Sequence, residues 1–371
     1  MKTLAALLAG VLLVALALAG SSSHRRVSAG RQAAVRGDAP HHNWRIGSPT
    51  SFDNLTIFPV LSEQTTSADD FITLDEGLRT GKVVITELGA DGRSRRLRPQ
   101  RRLDDDAEVN RLAVTNKSGK RLILIAGEMV VGGKQDRIVG HDCIIEATAK
   151  PVPIEVFCVE HGRWSGSENF GQSRRATNGG GGAAETVAVT SSANMMMAMP
   201  KVREKAQAKK SQSEVWQGVA DSVQANSVET QTGDLKSVYR DKKVSHKLND
   251  YERAFTGKLA ASEVIGVVAA VNGRIISADV FANHRLFQAY WPKMMKSYAL
   301  EALGQNDGEK QEIARRDAEA FLSRVEGTTE TSDDPGAYRL VENQSSKDAS
   351  FELESRAAGR ALIHFNRVSK Q

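Results

Sequence analysis

Net charge is scarce in this sequence: 50 basic residues against 45 acidic ones leave +5 on 371 residues, an excess too slight to indicate a nucleic-acid partner. Aromatic side chains are sparse at 5%. The common catalytic signatures are missing too. No Gly-x-Ser-x-Gly elbow marks a serine hydrolase, no His-x-x-x-His or Cys-x-x-Cys pair offers zinc ligands, and the eight His residues are scattered. The stretch from Gly127 to Lys134 comes near a Walker A loop, but its spacing is one residue too long and Gln135 stands where Ser or Thr must follow the Lys, so a P-loop is excluded. No metal or cofactor is expected. Beyond the first twenty residues no apolar run approaches membrane length.

What is present is an ordinary globular composition, 40% apolar and 26% charged, enough for one large domain or two modest ones and incompatible with a wholly disordered chain. Lys2 precedes an apolar run from Leu4 to Ala19, and Ala17-Leu18-Ala19 places small residues where a signal peptidase reads. We expect residues 1–19 to be a cleaved leader, with the mature chain starting near Gly20 in the periplasm or outside the cell and no membrane contact afterwards. No Cys follows the run, which excludes a lipoprotein anchor. Residues 20–50 hold little that could be buried and are expected to be a disordered tail.

From Phe52 short β-type runs alternate with turns: Leu55 to Leu61, Lys82 to Leu88, Arg111 to Thr115 and Arg121 to Ile125. Gly89-Ala-Asp-Gly92 and Asn116-Lys-Ser-Gly119 read as hairpin turns, the second pairing the strands on either side of it. Six Arg between Arg93 and Arg102, followed by Asp104 to Asp106, read as a solvated loop. Residues 165–212, with Gly179 to Gly182 and Met195-Met-Met-Ala-Met199, read as a disordered insertion in which the Met cluster is flexible filler rather than a copper site.

Helical signals follow. Ser211 and Glu214 form a capping box before a Val215, Trp216, Val219, Ala220, Val223 stripe, and Tyr239, Leu248, Tyr251 and Phe255 mark further helical pieces. Asn272-Gly273 between Val264–Val271 and the run from Arg274 to Val280 is a type I′ hairpin signal, because both central positions need positive φ. Leu286, Phe287, Tyr290, Trp291, Met294, Met295, Tyr298 and Ala302 make a core-facing helical stripe, with a kink or new start at Pro292. A polar helix over 308–326 and a β-type end over 350–368 complete the chain. The fold expected is α+β: a mostly antiparallel, β-rich core over 52–164, helices and the Asn-Gly hairpin over 213–330 completing the same domain, and a C-terminal extension over 331–371.

The densest chemistry lies between Gly127 and Trp164. Gly127-Glu128, Gly133-Lys134-Gln135-x-Arg137, Cys158-Val-Glu160 with Gly162-Arg163-Trp164, Gly266 to Gly273 and Asp279-x-Phe281 resemble the family called ARG and rhodanese-phosphatase-superfamily-associated protein domain, over about 52–305. The resemblance implies an association with ADP-ribosylglycohydrolases and phosphatases.

Two functions are open on the residues. In the first, Lys134, Arg137 and Arg163 bind the phosphate or carboxylate of an anionic, nucleotide-like small molecule, Trp164 stacks on its ring, Gln135 orients it, and Glu128 and Glu160 act as acid and base if there is hydrolysis. In the second, the domain is a noncatalytic extracytoplasmic scaffold in which Glu128, Glu160 and the arginines form buried ion pairs. Convergence on an open cleft favours the first and mutual burial the second. Oligomeric state is not legible. His141-Asp142-Cys143 is no nucleophile constellation, since adjacent strand residues point to opposite faces. Cys143 and Cys158 are the only cysteines. A hairpin closed around Ala149-Lys-Pro-Val152, pairing Thr148 with Pro153, puts them opposite each other and predicts a disulfide.

Overall fold

A computed structural model describes residues 43–88, 110–133, 135–162, 196–305, 308, 310–322, 325–334, 337–357 and 361–370. The expected turn at Gly89 to Gly92, the Arg-rich run and most of the 165–212 insertion lie outside these residues. In chain order the first half supplies β1 (Arg45–Ile46), β2 (Thr50–Phe52), β3 (Leu55–Leu61), β4 (Phe71–Thr73), α1 (Leu74–Arg79), β5 (Val83–Glu87), β6 (Arg111–Asn116), β7 (Arg121–Leu124), β8 (Met129–Val130), β9 (Arg137–Val139), β10 (Cys143–Ile145) and β11 (Thr148–Cys158). The second half supplies α2 (Pro200–Glu204), which continues into a π-helical turn (Lys205–Lys209), then α3 (Gln212–Ala225), α4 (Leu235–Arg240), α5 (Lys242–Phe255), β12 (Val264–Val271), β13 (Arg274–Phe281), α6 (His284–Leu303), α7 (Arg315–Phe321), β14 (Thr328–Asp334), β15 (Tyr338–Gln344), β16 (Asp348–Ser355) and β17 (Ala361–Ser369).

The fold is α+β, as the patterning requires. A nine-stranded sheet runs β1-β3-β12-β13-β17-β16-β15-β14, with β2 also on β3; a five-stranded sheet runs β5-β6-β11-β9-β8 and a three-stranded one β10-β7-β4. All pairings are antiparallel except that of β4 with β7. One face of the large sheet and helices α2 to α6 bury a single large core; a second core fills the space between the two smaller sheets and α1; a third packs α7 on the opposite face of the large sheet.

Local signals hold at several points. Asn272 and Gly273 both take positive φ, 50° and 76°, and close the β12–β13 hairpin. The Ser211 hydroxyl accepts the Glu214 amide and starts α3, on which Val215 and Val219 are buried while Ala220 faces solvent. The aromatic and Met stripe becomes α6, a single helix that runs through Pro292.

Non-local expectations required correction. β6 and β7 do not pair across Asn116 to Gly119. The Asn116 side chain donates to the carbonyls of Lys120 and Ile145, so the turn delivers β7 to β10 while β6 stays between β5 and β11. Residues 149–152 are not a loop but part of the long strand β11, which carries a register shift between Thr148 and Val152. Met196 to Met199 are core side chains rather than filler. The expected leader and residues 20–42 of the expected tail lie outside the described residues, while residues 43–50 supply β1 and the first residue of β2; the expected β-type end is present as β16 and β17, which with β15 join the large sheet and bury Phe351, Leu353 and Phe365. The polar helix is shorter than expected, Arg315–Phe321.

The predicted disulfide is corrected as well. Cys143 lies opposite Leu124 and Cys158 opposite Arg137, in different sheets, and both are free, buried thiols. Burial raises both thiol pKa values, that of Cys158 to about 11, so neither is a reactive thiolate at neutral pH. A thiol-reactive chromogenic disulfide is therefore expected to label neither cysteine in the native protein and both after denaturation without reductant. Zero thiols after denaturation would restore the bridge.

Candidate functional site

Three clusters of buried charge hold the smaller sheets to the helices and to the large sheet. The first starts at Asp142, in the turn between β9 and β10. Its Oδ1 accepts the Ala126 amide at 2.8 Å and its Oδ2 lies 2.6 Å from Nδ1 of His364 on β17. Nε2 of the same imidazole is 3.3 Å from Oδ1 of Asp279 on β13. Asp279 in turn receives the Arg203 guanidinium through both terminal nitrogens, at 2.6 and 3.2 Å, and also accepts from Tyr298, Ser277 and Asn366. Asp142, His364, Asp279 and Arg203 are all inaccessible to solvent.

Charge balance explains the protonation states. Burial alone would raise the Asp279 pKa, but Arg203 and His364 hold it well below the usual carboxylate range. Burial likewise opposes a charged His364, yet Asp142 and Asp279 outweigh it and raise its pKa from 6.5 to about 9. The aliphatic stem of Arg203 also dictates a glycine: at Gly127, with φ of +84°, a Cβ would stand 2.5 Å from Cγ of Arg203.

The second cluster contains Glu128. Nζ of Lys293, from the middle of α6, sits 2.5 Å from Glu128 Oε1 and 2.5 Å from Asp75 Oδ2, and 4.6 Å above the Tyr290 ring. The other Glu128 oxygen accepts the Ile125 amide at 2.7 Å. One ammonium between two carboxylates leaves a negative charge in excess, and burial pushes the Glu128 pKa up.

The third cluster contains Glu160, Gln135 and Arg137. Glu160 Oε2 accepts the Asp136 amide at 3.0 Å and Oε1 the Thr232 hydroxyl at 3.2 Å, while the Glu160 carbonyl accepts from Gln135 Nε2 at 2.7 Å. Asp136 closes the double-glycine turn by accepting the Gly132 amide and is met by Lys236 Nζ at 2.5 Å. Arg137 is fully buried; it donates to the Gln135 carbonyl at 2.5 Å and lies 3.7 Å from the Glu87 carboxylate.

Of the residues singled out in the sequence, Gln135, Arg137 and Glu160 therefore share one cluster, and Glu128 belongs to a separate one. Each is buried against internal partners. Lys134, Arg163 and Trp164 lie outside the described residues. Among the described residues no group of three or more His, Cys, Asp or Glu is placed to hold a metal ion. Sequence reasoning missed Lys293, Asp75, Arg203, His364 and Lys236. The available signal was polarity out of place, as with Lys293 amid the apolar stripe of α6 and His364 between Ile363 and Phe365.

The fold and its charge clusters define an α+β domain held together by interior ion pairs. The chain belongs to the family described as ARG and Rhodanese-Phosphatase-superfamily-associated Protein domain, which it matches over residues 43–368. Neither a curated protein nor a solved structure matches it.

The raised His364 pKa gives a pH signature. Between the unfolded value of 6.5 and the folded value of about 9 the native state keeps a proton that the unfolded chain has lost, so stability is full below pH 6.5 and falls as pH rises. The slope approaches about 1.4 kcal/mol per pH unit. Denaturant midpoints of wild type and His364→Gln over pH 6.5–9 test this: the wild-type decline should be absent in the variant. Parallel profiles would refute it.

Proposed function

We propose that the chain is an exported, noncatalytic interaction domain whose buried charges build the fold rather than perform chemistry. The observation that carries this reading is the state of the acid and base candidates: Glu128 and Glu160 are buried in different clusters, each already bound to cations, hydroxyls or amides of its own chain. A general acid must reach substrate, and the two residues are only 1% and 3% exposed. A cavity lined by Ser222, Asn226 and Glu301 has about 10 Å³, room for a single water. Export rests on the Leu4 to Ala19 run and its small-residue boundary. Among the described residues no helix is long and apolar enough to cross a membrane.

One observation favours the other reading, an anionic-ligand site. The Gln135 side chain bonds to the Glu160 carbonyl, and the Gly162 amide donates to the Thr232 carbonyl at 2.8 Å, so the backbone leading to Lys134 and the backbone leading to Arg163 start from neighbouring points. A phosphorylated or ADP-ribose-like molecule held there would use Lys134, Arg163 and Trp164 without needing catalysis.

Melting the mature protein with ADP-ribose, nucleotides and sugar phosphates separates the two. A ligand at a hundred times its Kd stabilises the native state by about 2.7 kcal/mol, a Tm rise of several degrees. The interaction reading predicts no rise with any of them. A rise with ADP-ribose that Arg163→Ala abolishes, or any hydrolysis lost in Glu128→Gln or Glu160→Gln, would overturn it.

A further inference from the structure

We propose that Lys293 and Asp75 become covalently joined: the amine of Lys293 condenses with the carboxyl of Asp75 to an isopeptide bond, Glu128 carries the protons, and one water is released. The proposal goes beyond the interaction reading and does not depend on it, because a single intramolecular step builds the fold and turns over no substrate. Lys293 Nζ lies 2.5 Å from Asp75 Oδ2 and 2.5 Å from Glu128 Oε1, so nucleophile, electrophile and proton carrier are in contact. With a carbon–oxygen bond of about 1.2 Å, Cγ of Asp75 stands within about 3.7 Å of that nitrogen. Reacting atoms held about 3–3.5 Å apart are poised for attack, and such placement replaces the encounter of free reactants. The side chains of Lys293 and Glu128 are each 1% exposed, whereas that of Asp75 keeps 15%, so bulk water is shut out and the released molecule has an exit. Oδ1 of Asp75 is buried and has no hydrogen-bond partner among the described residues. A carboxylate oxygen left so is costly, and the oxygen of a neutral amide is cheaper to bury.

The ion pair described above is the reactant state. Asp75 and Glu128 outweigh burial and keep Lys293 an ammonium, so the step begins with a proton passing from Nζ to Glu128, whose pKa burial raises to about 7. That transfer leaves one buried charge where there were three, which the poorly solvated interior favours. The nitrogen lone pair then forms the bond to Cγ of Asp75. As the tetrahedral centre collapses, the leaving oxygen takes the proton held by Glu128 and a second one from the nitrogen, relayed through the same carboxylate, and departs as water. In sum an ammonium and a carboxylate give an amide and a water, Glu128 ends as it began, and nothing is oxidised or reduced. Burial keeps external substrates from Glu128 but is no obstacle when the reacting groups belong to its own chain. The bond would tie α1, in the core of the smaller sheets, to the middle of α6, in the core of the large sheet, across 218 residues of chain. Both cysteines are free, and a cross-link closing so long a loop restricts the unfolded chain as a disulfide does.

The test is mass spectrometry of the full chain, purified, held for several days at room temperature and then denatured. The chain should be lighter than its sequence by the mass of one water. Because trypsin does not cut after an acylated lysine, its digest should contain residues 46–79 joined to residues 286–296 through Asp75 and Lys293. Lys293→Arg and Asp75→Ala should each show the full mass of their sequence, and Glu128→Gln should accumulate the bond at least about tenfold more slowly. Should these variants unfold, the wild-type digest still decides. A wild-type chain of full mass, a water loss confined to one peptide, as an aspartyl succinimide gives, or a bond that forms as fast in Glu128→Gln would each overturn the proposal. None of these outcomes bears on the melting series with small molecules, so failure here leaves the interaction reading standing and failure of that reading leaves the bond standing.

Discussion

The ion pair between Arg203 and Asp279 fixes how distant segments of the chain meet. A guanidinium with no solvent access must be neutralised and hydrogen-bonded, and removing one partner of such a pair typically costs about 3–5 kcal/mol. Its requirements propagate through the fold. Asp279 also holds a protonated His364, the imidazole needs Asp142 on its other side, Asp142 fixes the Ala126 amide, and Gly127 must lack a Cβ to let Arg203 pass. Four segments far apart in the chain, around residues 126–142, 203, 279 and 364, are thereby placed relative to one another. The Lys293 cluster repeats the device one residue further along, at Glu128.

What was legible in the sequence is what neighbouring residues decide. Asn272-Gly273 specifies its hairpin because two successive positive φ angles have few other hosts, and Ser211 with Glu214 starts its helix because a hydroxyl three residues before an amide caps it. Partner choice was not legible. Asn116 to Gly119 looks like any hairpin turn, yet a side-chain bond to Ile145 on a distant strand redirects the chain. Met196 to Met199 look like filler beside the Gly-rich run and are core because Tyr239 and Ser297 hydrogen-bond the backbone there.

The candidate site shows the same division. Glu128, Gln135, Arg137 and Glu160 sit at points of concentrated buried charge. Their role depends on partners contributed by α6, β5 and the segment before α4, and no local pattern identifies Lys293 as the cation facing Glu128. Buried carboxylates paired with lysine or arginine carry the same residue types as an acid and base pair in a cleft. Burial and pairing separate the two.

Glu128 is held in an interior ion pair with Lys293, which it neutralises together with Asp75. Equilibrium unfolding of Lys293→Met, Glu128→Leu and the double variant measures what this pair contributes. Lys293→Met alone should lose about 3–5 kcal/mol, and adding Glu128→Leu should recover part of the loss by removing one of the two carboxylates left without their cation, Asp75 being the other. If Lys293→Met leaves stability within about 0.5 kcal/mol of wild type, as a surface substitution does, the pair does not hold the fold.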